Sequence, residues 1–593
     1  MTATPQQMGK GPAVPPTTAN LRGSVALPAT TVLKLLLLAF YLAWDYQAIA
    51  GRVASLGASP ALVAWLALYT LLALALAAAA FIPGHLLRFA FAAVLAAGSV
   101  MLHSYEWATG SPLTYNAFET MLASRGDASD AASQHGDVLL QALGAAAILL
   151  AAIALPPRRH ALRFGLGWLT PAGAVLALAG LLYVRGGEGA RALPAPFSPI
   201  AQAGIMGALS LTEEGGPRQP VTLAPAAPLV PGDVVLVIDE SVAANYLDIN
   251  HRDGVHSGLA ELRPGLEIVN YGVAASVTNC SAGSNRTLRF GGTRETYRHT
   301  ARMAPSIWAY ARKAGYRTVY LDGQRRNGRL QNLMDEAERA ELDAFVQLGD
   351  LAVPQRDLEL AAMVADRLHN GVAEFILVNK VGAHFPVADK FPEDAAEFAP
   401  LPARGETSRI IDMGPVHGSH RGTAAEWRLY RNAYRNTLIW STGGFFDRLL
   451  PRAAGSGAVI LYTSDHGQDL HERANPGKGT HCVNDPLPEE GAVPLVVIDA
   501  AGGATLDWRG SAAAHFDATS HFRLFPTLLQ LMGYAPEDTA AMYGPTLVAA
   551  DKDPMTFTAN YFAALGRDPG WRPVEHAKLA APPRSDFTTL AAR

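Results

Sequence analysis

The sequence predicts an α-helical membrane domain followed by an α/β domain whose central sheet is mostly parallel. Hydrophobic residues make up 49% of the chain and charged residues only 17%, and the mean hydropathy is +0.12. Long apolar runs fill much of the chain before residue 190, and short apolar runs alternate with helical patterns after residue 230. The first pattern is typical of membrane helices, and the second is typical of buried parallel strands joined by helices.

Length and charge exclude several classes of protein. The chain has 593 residues, which is enough for two or more domains. A net charge of −4, from 48 Lys+Arg and 52 Asp+Glu, excludes a broadly basic nucleic-acid-binding protein. The 2 cysteines exclude a disulfide scaffold and a cysteine-rich zinc fold.

Five apolar runs are each long enough to cross a hydrocarbon core of about 30 Å. They lie near residues 31–49, 61–82, 87–104, 138–156 and 164–184. Residues 1–30 form a polar tail, which favours a membrane anchor over a cleavable signal peptide. Basic residues are concentrated on the side of the N-terminus, namely Lys10, Arg22, Arg88, Arg158, Arg159 and Arg163, whereas Arg52 and Arg125 lie opposite. The positive-inside rule therefore predicts a cytoplasmic N-terminus. Five crossings then place everything after about residue 185 outside, which is the periplasm if the cell is Gram-negative.

Two segments connect these predicted parts. The loop 105–137 lies on the outer side and carries Asn116 and Glu119. Residues 185–232 are rich in Pro, Ala and Gly, which predicts a linker with one short bridging helix. The predicted division is thus a tail at 1–30, membrane helices at 31–184, the linker at 185–232 and a catalytic domain at 233–593.

Continuous apolar runs in the C-terminal part predict strands buried on both faces. They lie at 234–239, 318–322, 374–381, 458–465 and 493–499. Helical patterns separate them, which predicts an α/β fold with a mostly parallel sheet. Ligands of such sheets bind outside the carboxyl ends of the strands, so the polar residues at those ends are the candidate site residues.

Two predicted strands end in potential metal ligands. The first strand ends in Asp239, Glu240 and Ser241, and the run at 458–465 is followed by His466 after Asp465. Carboxylate oxygens and imidazole nitrogens are ligands of Zn²⁺. The sequence therefore predicts a zinc site, with a second ion left open.

A segment rich in small residues lies between these two strand ends in the sequence. It contains three hydroxyl side chains, Thr278, Ser281 and Ser284, and precedes a predicted helix. A helix N-terminus favours phosphoryl oxygens, and a metal would lower the pKa of a nearby hydroxyl group. The segment therefore predicts a hydroxyl nucleophile and leaves the choice among these three residues open.

Further polar residues follow the same strands. His384 comes after the strand at 374–381, and His481 comes shortly after His466. Both are predicted to bind substrate phosphate, to transfer a proton or to complete a second metal site. Arg325, with Arg326, follows the strand ending at Asp322 and is a candidate phosphate contact. His471 and His521 are weaker candidates.

These residues together resemble the membrane-bound phosphoethanolamine transferases of the alkaline phosphatase/sulfatase superfamily, of the kind that modify lipid A. The resemblance makes Glu240, Asp465 and His466 metal ligands together with the nucleophile, matched at Ser284. It gives His384 and His481 catalytic and substrate-binding roles. Asn116, Glu119 and Arg325 then become candidate substrate contacts.

The chain departs from the family pattern at several positions. Ser284 stands where the family has a threonine nucleophile, and Ser281 and Thr278 remain rivals. Gln468 stands where the family has a glutamate after Asp-His-Gly. Lipid A-modifying members carry several disulfides, whereas this chain has only Cys280 and Cys482, as a disulfide across the site or as two free thiols.

The resemblance implies a zinc-dependent transfer of phosphoethanolamine. The donor would be phosphatidylethanolamine, the intermediate a phosphoethanolamine-serine, and the acceptor lipid A or another lipopolysaccharide or glycan group. A phosphoglycerol transferase is the nearest alternative, and a non-catalytic membrane-anchored binding module is a remote one. A sulfatase is disfavoured because Ala282 and Ser284 stand where its Cys-x-Pro-x-Arg motif needs Pro and Arg.

Overall fold

The computed structural model describes residues 29–109, 112–123, 136–157, 169–211, 216–402, 423–473, 479–501, 505–584 and 588–589. The predicted cytoplasmic tail, apart from residues 29 and 30, lies outside these ranges. The same holds for the start of the predicted fifth span and for the basic residues Arg125, Arg158, Arg159 and Arg163.

The N-terminal part of the chain is helical. Its helices are Ala29–Ala43, Tyr46–Leu56, Pro60–Ala80, His85–Thr109, Tyr115–Ala123, Gly136–Ala154, Thr170–Val184 and Phe197–Ser210. Within the described residues, 3 helices are long and apolar enough to cross a membrane, or 4 if Ala29–Ala43 and Tyr46–Leu56, bent by 58°, form one span. Thr170–Val184 is apolar but has only 15 residues. The five predicted spans are therefore not confirmed as a count.

Buried cations complete the ends of these helices. Lys34 is fully buried, and its ammonium donates to the carbonyls of Ala152 and Ile153 at 2.7 and 3.1 Å. Those carbonyls lack partners within their own helix, and a cation beside them also interacts favourably with the helix dipole. Arg88 donates to Ile82 O at 2.9 Å at the end of a neighbouring helix. Lys34 and Arg88 thus stabilise helix ends.

The outer loop and the linker both contain helices. Tyr115–Ala123 lies within the predicted loop, and the bridging helix predicted in the linker is Phe197–Ser210. Both segments lie against the rest of the molecule: Asn116 Nδ2 donates to Ala559 O at 3.2 Å, and Arg567 pairs with Glu188 at 3.0 Å. The membrane-proximal segments therefore contact the C-terminal domain directly.

The C-terminal part is built on an eight-stranded sheet in the order β4-β3-β5-β1-β7-β8-β2-β9. Its strands are β1 Val234–Asp239, β2 Glu267–Ala275, β3 Arg317–Asp322, β4 Ala344–Gln347, β5 Glu374–Asn379, β7 Val459–Ser464, β8 Ala492–Asp499 and β9 Thr519–Ser520. Short pairs lie outside it, β10 Thr556–Phe557 with β11 Arg572–Pro573 and β6 Phe398–Ala399 with β12 Thr588–Thr589. Only β8 runs antiparallel to its neighbours in the sheet, so the mostly parallel α/β fold is confirmed.

Helices cover both faces of this sheet, and each face has its own apolar core. They are Ser281–Phe290, Tyr297–Met303, Ile307–Lys313, Glu336–Ala340, Val353–Arg367, Ala424–Leu438, Gly444–Ala453, Trp508–His515, Leu524–Leu531 and Pro536–Tyr543. A π-helix, Ile439–Gly443, joins Ala424–Leu438 to Gly444–Ala453. The alternation of apolar strands and amphipathic helices in the sequence produces this three-layer arrangement.

Candidate active site

The parallel pairing of β1 with β7 brings their polar ends together. Asp239 and Ser464 are partners in register, so Glu240 and Asp465 leave the sheet side by side. His466 Nε2 lies 3.6 Å from Glu240 Oε1 and 3.8 Å from Asp465 Oδ1. Ligand atoms of Glu240, Asp465 and His466 all lie within 4.8 Å of one another, and the three residues are buried. We call these three residues the metal cluster.

The hydrogen bonds around the metal cluster fit a bound cation. His466 Nδ1 lies 2.8 Å from Gly467 O, which fixes a proton on Nδ1 and turns Nε2 towards Glu240. Ser241 N donates to Asp465 Oδ1 at 2.9 Å. Asp465 Oδ2 is buried and has no hydrogen-bond partner among the described residues. A buried carboxylate oxygen without a partner is costly, so a Zn²⁺ ion fits this set of donors.

The pKa shifts of the metal cluster also favour a bound cation. Burial raises the pKa of Asp465 to about 8, and the neighbouring charge of Glu240 adds to this rise. Burial disfavours a charged His466, but Asp465 and Glu240 overcome it and raise the pKa of His466 to about 9. Burial also opposes ionisation of Glu240, yet His466 and His384 hold the pKa of Glu240 well below its usual range. Two adjacent buried carboxylates therefore need positive charge between them.

Asp239 is neutralised beneath the metal cluster. Its Oδ2 accepts from Lys380 Nζ at 2.6 Å and from Thr442 Oγ1 at 3.0 Å. Gly382 closes over the same strand end at a φ of 53°, where a Cβ would lie 2.4 Å from Asp239 Oδ1. No other residue type fits this position without moving the strand end. The turn after β5 is thus held directly beside Glu240.

Ser281 is the hydroxyl side chain that reaches the metal cluster. Its Oγ donates to Glu240 Oε1 at 3.0 Å and lies 3.2 Å from His466 Nε2. Ser281 is the first residue of the helix Ser281–Phe290, and Cys280 before it makes no side-chain cap. Backbone N–H groups of this first helical turn are therefore available to an anionic group beside Ser281.

Ser284, the first choice from the sequence, lies elsewhere. Its side chain is fully buried, and its Oγ donates to Thr278 O at 3.1 Å. Thr278 N in turn donates to Ser284 Oγ at 3.3 Å. The hydroxyl of Ser284 thus closes the loop before the helix instead of facing the metal cluster. Thr278 is 2% exposed and contributes backbone groups to the same closure.

Cys280 and Cys482 form a disulfide beside the site. Their Cα atoms are 4.9 Å apart across a sequence separation of 202 residues. Cys482 N also donates to Asn279 O at 2.9 Å. The disulfide therefore joins the residue before Ser281 to the residue after His481, and the alternative of two free thiols is not what the structure shows.

Both predicted catalytic histidines lie beside the metal cluster. The ring of His481 stacks on that of His466, with centroids 4.6 Å apart. His384 Nδ1 lies 2.7 Å from Phe385 O, which places the proton on Nδ1 and leaves Nε2 as an acceptor. Burial lowers the pKa of both His384 and His481, and the charge of His466 lowers that of His481 further. Both rings are therefore neutral near pH 7.

The remaining predicted residues lie at varying distances from this centre. Arg325 follows β3, and its Nε donates to Gln331 Oε1 at 2.9 Å. Asn116 lines a cavity of about 190 Å³ together with Asn484, which is two residues beyond Cys482. Glu119 lies on the same helix as Asn116.

The two weaker histidine candidates have structural neighbours. His521 Nε2 lies 2.9 Å from Thr463 Oγ1, next to β7, and burial lowers its pKa to about 3. The ring of His471 packs on Trp427, with centroids 4.2 Å apart, and its Nδ1 lies 3.3 Å from Asp469 Oδ2.

Sequence reasoning missed Gln324. Its Nε2 donates to Glu240 Oε2 at 3.2 Å and to Lys380 O at 2.7 Å, so it orients the carboxylate of the metal cluster. Gln324 comes two residues after the end of β3, beside the predicted Arg325. The same strand-end rule that selected Glu240 would have found it.

Comparisons with known proteins agree with this arrangement. A family model described as "Sulfatase" matches residues 232–534, which is just over half of the chain. The chain belongs to the sulfatase family. This family domain covers β1, the helix that begins at Ser281 and the whole metal cluster. No curated protein matches the chain at a significant level.

Several solved structures are similar to this sulfatase-family chain. The integral membrane lipooligosaccharide phosphoethanolamine transferase A from Neisseria meningitidis is 16% identical, with a TM-score of 0.59, over 85% of this chain and 96% of that one. The soluble domain of that transferase matches at 20% identity over 57% of this chain and 99% of its own length, with a TM-score of 0.44. The zinc complex of the C-terminal periplasmic domain of EcEptC from Escherichia coli matches at 14% identity over 63% of this chain and 100% of that one, with a TM-score of 0.46. The first match shows that this chain and the Neisseria meningitidis protein share a fold over both the helical region and the α/β domain.

Proposed function

We propose that this protein transfers phosphoethanolamine from phosphatidylethanolamine to lipid A or to another lipopolysaccharide or glycan group of the cell envelope. The observation that carries the proposal is the position of Ser281, whose Oγ lies within 3.2 Å of both Glu240 and His466 at a helix N-terminus. A hydroxyl beside a metal-binding cluster suits nucleophilic attack on phosphorus. We therefore assign the nucleophile to Ser281 in place of Ser284.

Glu240, Asp465 and His466 would hold Zn²⁺ together with Ser281. The ion supplies charge that lowers the pKa of the hydroxyl group and neutralises the two adjacent carboxylates. Gln324 and Ser241 keep Glu240 oriented through hydrogen bonds of 3.2 and 3.0 Å. One ion accounts for these residues, and His384 with His481 are the candidate ligands of a second.

The transfer takes place in two balanced steps. In the first, Ser281 Oγ forms a bond to phosphorus, the bond from phosphorus to the glycerol oxygen breaks, and the serine proton passes to diacylglycerol. In the second, an acceptor oxygen attacks phosphorus, the bond to Ser281 Oγ breaks, and the acceptor proton returns to Ser281. His384 and His481 are the candidates for carrying these protons, because both are neutral and lie beside the metal cluster.

The membrane helices have a direct role in this proposal. They would hold the α/β domain against the outer face of a bacterial inner membrane, with the N-terminus in the cytoplasm and the catalytic domain, residues 233–593, in the periplasm. The contacts of Asn116 with Ala559 and of Arg567 with Glu188 support such a fixed arrangement. A lipid headgroup would then reach the site without leaving the membrane surface.

Donor lipids with a fluorescent acyl chain test the proposal. The full-length protein in detergent is given labelled phosphatidylethanolamine or labelled phosphatidylglycerol, and labelled diacylglycerol is measured. We expect release from phosphatidylethanolamine and none from the Ser281→Ala variant. Release from phosphatidylglycerol alone would establish the phosphoglycerol transferase, and release from neither lipid would contradict both functions.

A further inference from the structure

An open groove lies at the β4 edge of the sheet, and we call it the β4 groove. Its volume of about 1020 Å³ is close to the upper end of the range of about 300–1,000 Å³ that is typical of ligand sites. The loop after β4, the first turns of the helix Val353–Arg367 and the segment from Ile439–Gly443 into Gly444–Ala453 form its walls. The lining includes Leu351, Gln355, Glu359, Pro392, Trp440 and Arg448.

The loop after β4 connects this groove to the active site. Gly349 N donates to Arg325 O at 2.9 Å, and Arg356 Nη2 donates to Gly349 O at 2.7 Å. The other terminal nitrogen of Arg356, Nη1, donates to Gln324 O at 3.5 Å. Gln324 is the residue whose side-chain amide donates to Glu240 of the metal cluster. One wall of the β4 groove is therefore linked to Glu240 through Gln324.

The π-helix Ile439–Gly443 forms another wall and has its own link to the site. Trp440 is half-buried and lines the β4 groove, and its Nε1 donates to Pro354 O at 2.6 Å. Two residues later, Thr442 Oγ1 donates to Asp239 Oδ2 at 3.0 Å. Single turns of π-helix are frequent at functional sites. This turn places an aromatic ring in the groove and a hydrogen-bond donor beneath the metal cluster.

The lining of the β4 groove combines apolar surface with hydrogen-bonding groups. Trp440 and Leu351 are apolar, whereas the exposed side chains of Gln355, Glu359 and Arg448 donate and accept hydrogen bonds. A sugar ring has a face of C–H groups, which packs on an aromatic ring, and an edge of hydroxyl groups, which bond to amides and charged side chains. An acyl chain would leave the polar groups unpaired, and an anionic ligand would meet Glu359. The groove therefore fits a carbohydrate.

The sheet order places the β4 groove on the opposite side of the metal cluster from the membrane-proximal contacts. Strands β1 and β7, which carry the cluster, lie between β4 and β2 in the sheet. On the β2 side, Asn116 Nδ2 donates to Ala559 O, and the preceding residue, Thr558, accepts from Asn279 N at 3.3 Å. A donor lipid that comes from the membrane helices would thus reach Ser281 from the β2 side. The β4 side is then open to the acceptor.

We propose that the β4 groove binds the sugar part of the acceptor that takes phosphoethanolamine from Ser281. The proposal rests on the proposed function and adds where the acceptor binds and which side chains recognise it. Trp440 packs on a sugar face, and Arg448 and Glu359 bond to hydroxyl groups. Donor and acceptor approach the nucleophile from opposite sides, as suits a two-step transfer in which diacylglycerol leaves before the acceptor attacks.

Binding of two acceptor preparations to the full-length protein tests the proposal. One is lipopolysaccharide in detergent, and the other is its sugar part freed of acyl chains. The Kd for both should rise about 5- to 30-fold in Trp440→Leu, because truncation of an aromatic anchor commonly has this effect. Arg448→Ala, at an exposed position that the fold does not depend on, should raise both Kd values at least about threefold. Phe516→Ala removes an exposed ring on the β2 side and is the matched control, with unchanged Kd.

Kinetics separate a role in acceptor binding from a general loss of structure. With lipopolysaccharide as the acceptor, Trp440→Leu should lower kcat/KM for lipopolysaccharide by the factor seen in Kd and keep kcat/KM for the donor lipid within about twofold. A loss that is equal for donor and acceptor would overturn the proposal.

The binding data also decide the role of the groove without turnover. Equal Kd values for the sugar part in wild type, Trp440→Leu and Arg448→Ala would overturn the proposal. Binding of intact lipopolysaccharide without binding of its sugar part, or binding of neither preparation, would overturn it as well. If the wild-type protein cleaves neither phospholipid, the proposed function fails, while these binding data still decide whether the β4 groove holds a carbohydrate.

Discussion

Replacing Ser281 by alanine separates two hydroxyl groups that lie three residues apart. The change removes the Oγ atom that lies 3.0 Å from Glu240 Oε1 and 3.2 Å from His466 Nε2. Without it no phosphoserine intermediate forms, and loss of the nucleophile in such a constellation lowers kcat by at least about 10³-fold. The fold should tolerate the change, because Glu240 keeps its hydrogen bonds from Ser241 and Gln324. One lost hydrogen bond costs about 1–3 kcal/mol of stability.

Ser284→Ala is the matched control. It removes a buried hydroxyl that donates to Thr278 O at 3.1 Å, and we expect a loss of about 1 kcal/mol in the free energy of unfolding. Its kcat/KM should stay within about threefold of wild type, because this hydroxyl makes no contact with the metal cluster in the described structure. The assay is release of labelled diacylglycerol at several lipid concentrations, with thermal unfolding of each variant measured in parallel. An inactive Ser284→Ala beside an active Ser281→Ala, both folded, would refute the reasoning.

Three further predictions follow from the site and its surroundings. Removal of metal with a chelator should lower the Tm by about 4 °C. This value follows from ~2.7 kcal/mol of binding energy and ~2.1 cal/mol/K of unfolding entropy per residue of the α/β domain. The Tm difference should disappear in Asp465→Asn and remain in Asp350→Asn, and an unchanged wild-type Tm would contradict the metal site. Replacing Cys280 and Cys482 by serine should destabilise the protein by about 2–5 kcal/mol, since the disulfide closes a loop of 202 residues. The replacement should also lower activity. Serine variants as stable and active as wild type would show that the disulfide is dispensable. Burial raises the pKa of Asp233 to about 7 from a usual 3.8. Its protonated form therefore favours the fold at low pH, and the stability of the wild-type protein falls as the pH rises from about 4 to 7. Asp233→Asn should lose this slope of Tm against pH, whereas an equal slope in both proteins would contradict the burial argument.

The strand ends that carry the metal cluster were predictable from the sequence. Runs such as 234–239 and 458–465 are continuous and apolar, and the polar residues that follow them meet because parallel strands end at the same sheet edge. Strand β2 was missed because its pattern is interrupted at Gly272, where its pairing with β8 shifts register. Strands β4 and β9, of four and two residues, are too short to give a pattern.

The choice between Ser281 and Ser284 could not be made from the sequence. Both lie in the first turns of one helix, and which hydroxyl faces Glu240 depends on where that helix begins relative to β1. A boundary error of a few residues is enough to exchange them.

The membrane region shows the limit of composition alone. Apolar length predicted five spans, but helix Thr170–Val184 has 15 residues and the bend after Ala43 divides the first span. Lys34 completes the carboxyl end of another helix, more than one hundred residues away in sequence, and Asp45 pairs with His103 at 2.8 Å. Contacts of this kind depend on tertiary packing, which periodicity does not contain.

Mass spectrometry of the peptide that carries the nucleophile tests the central claim most directly. The full-length protein is incubated with phosphatidylethanolamine, quenched in acid, reduced to open the bond at Cys280, and digested with trypsin. The peptide ending at Arg286 contains both Ser281 and Ser284, and fragmentation assigns any added mass to one of them. The account predicts a phosphoethanolamine adduct on Ser281 that is absent from Ser281→Ala. An adduct on Ser284, or a glycerophosphate mass in protein purified from membranes, would contradict it.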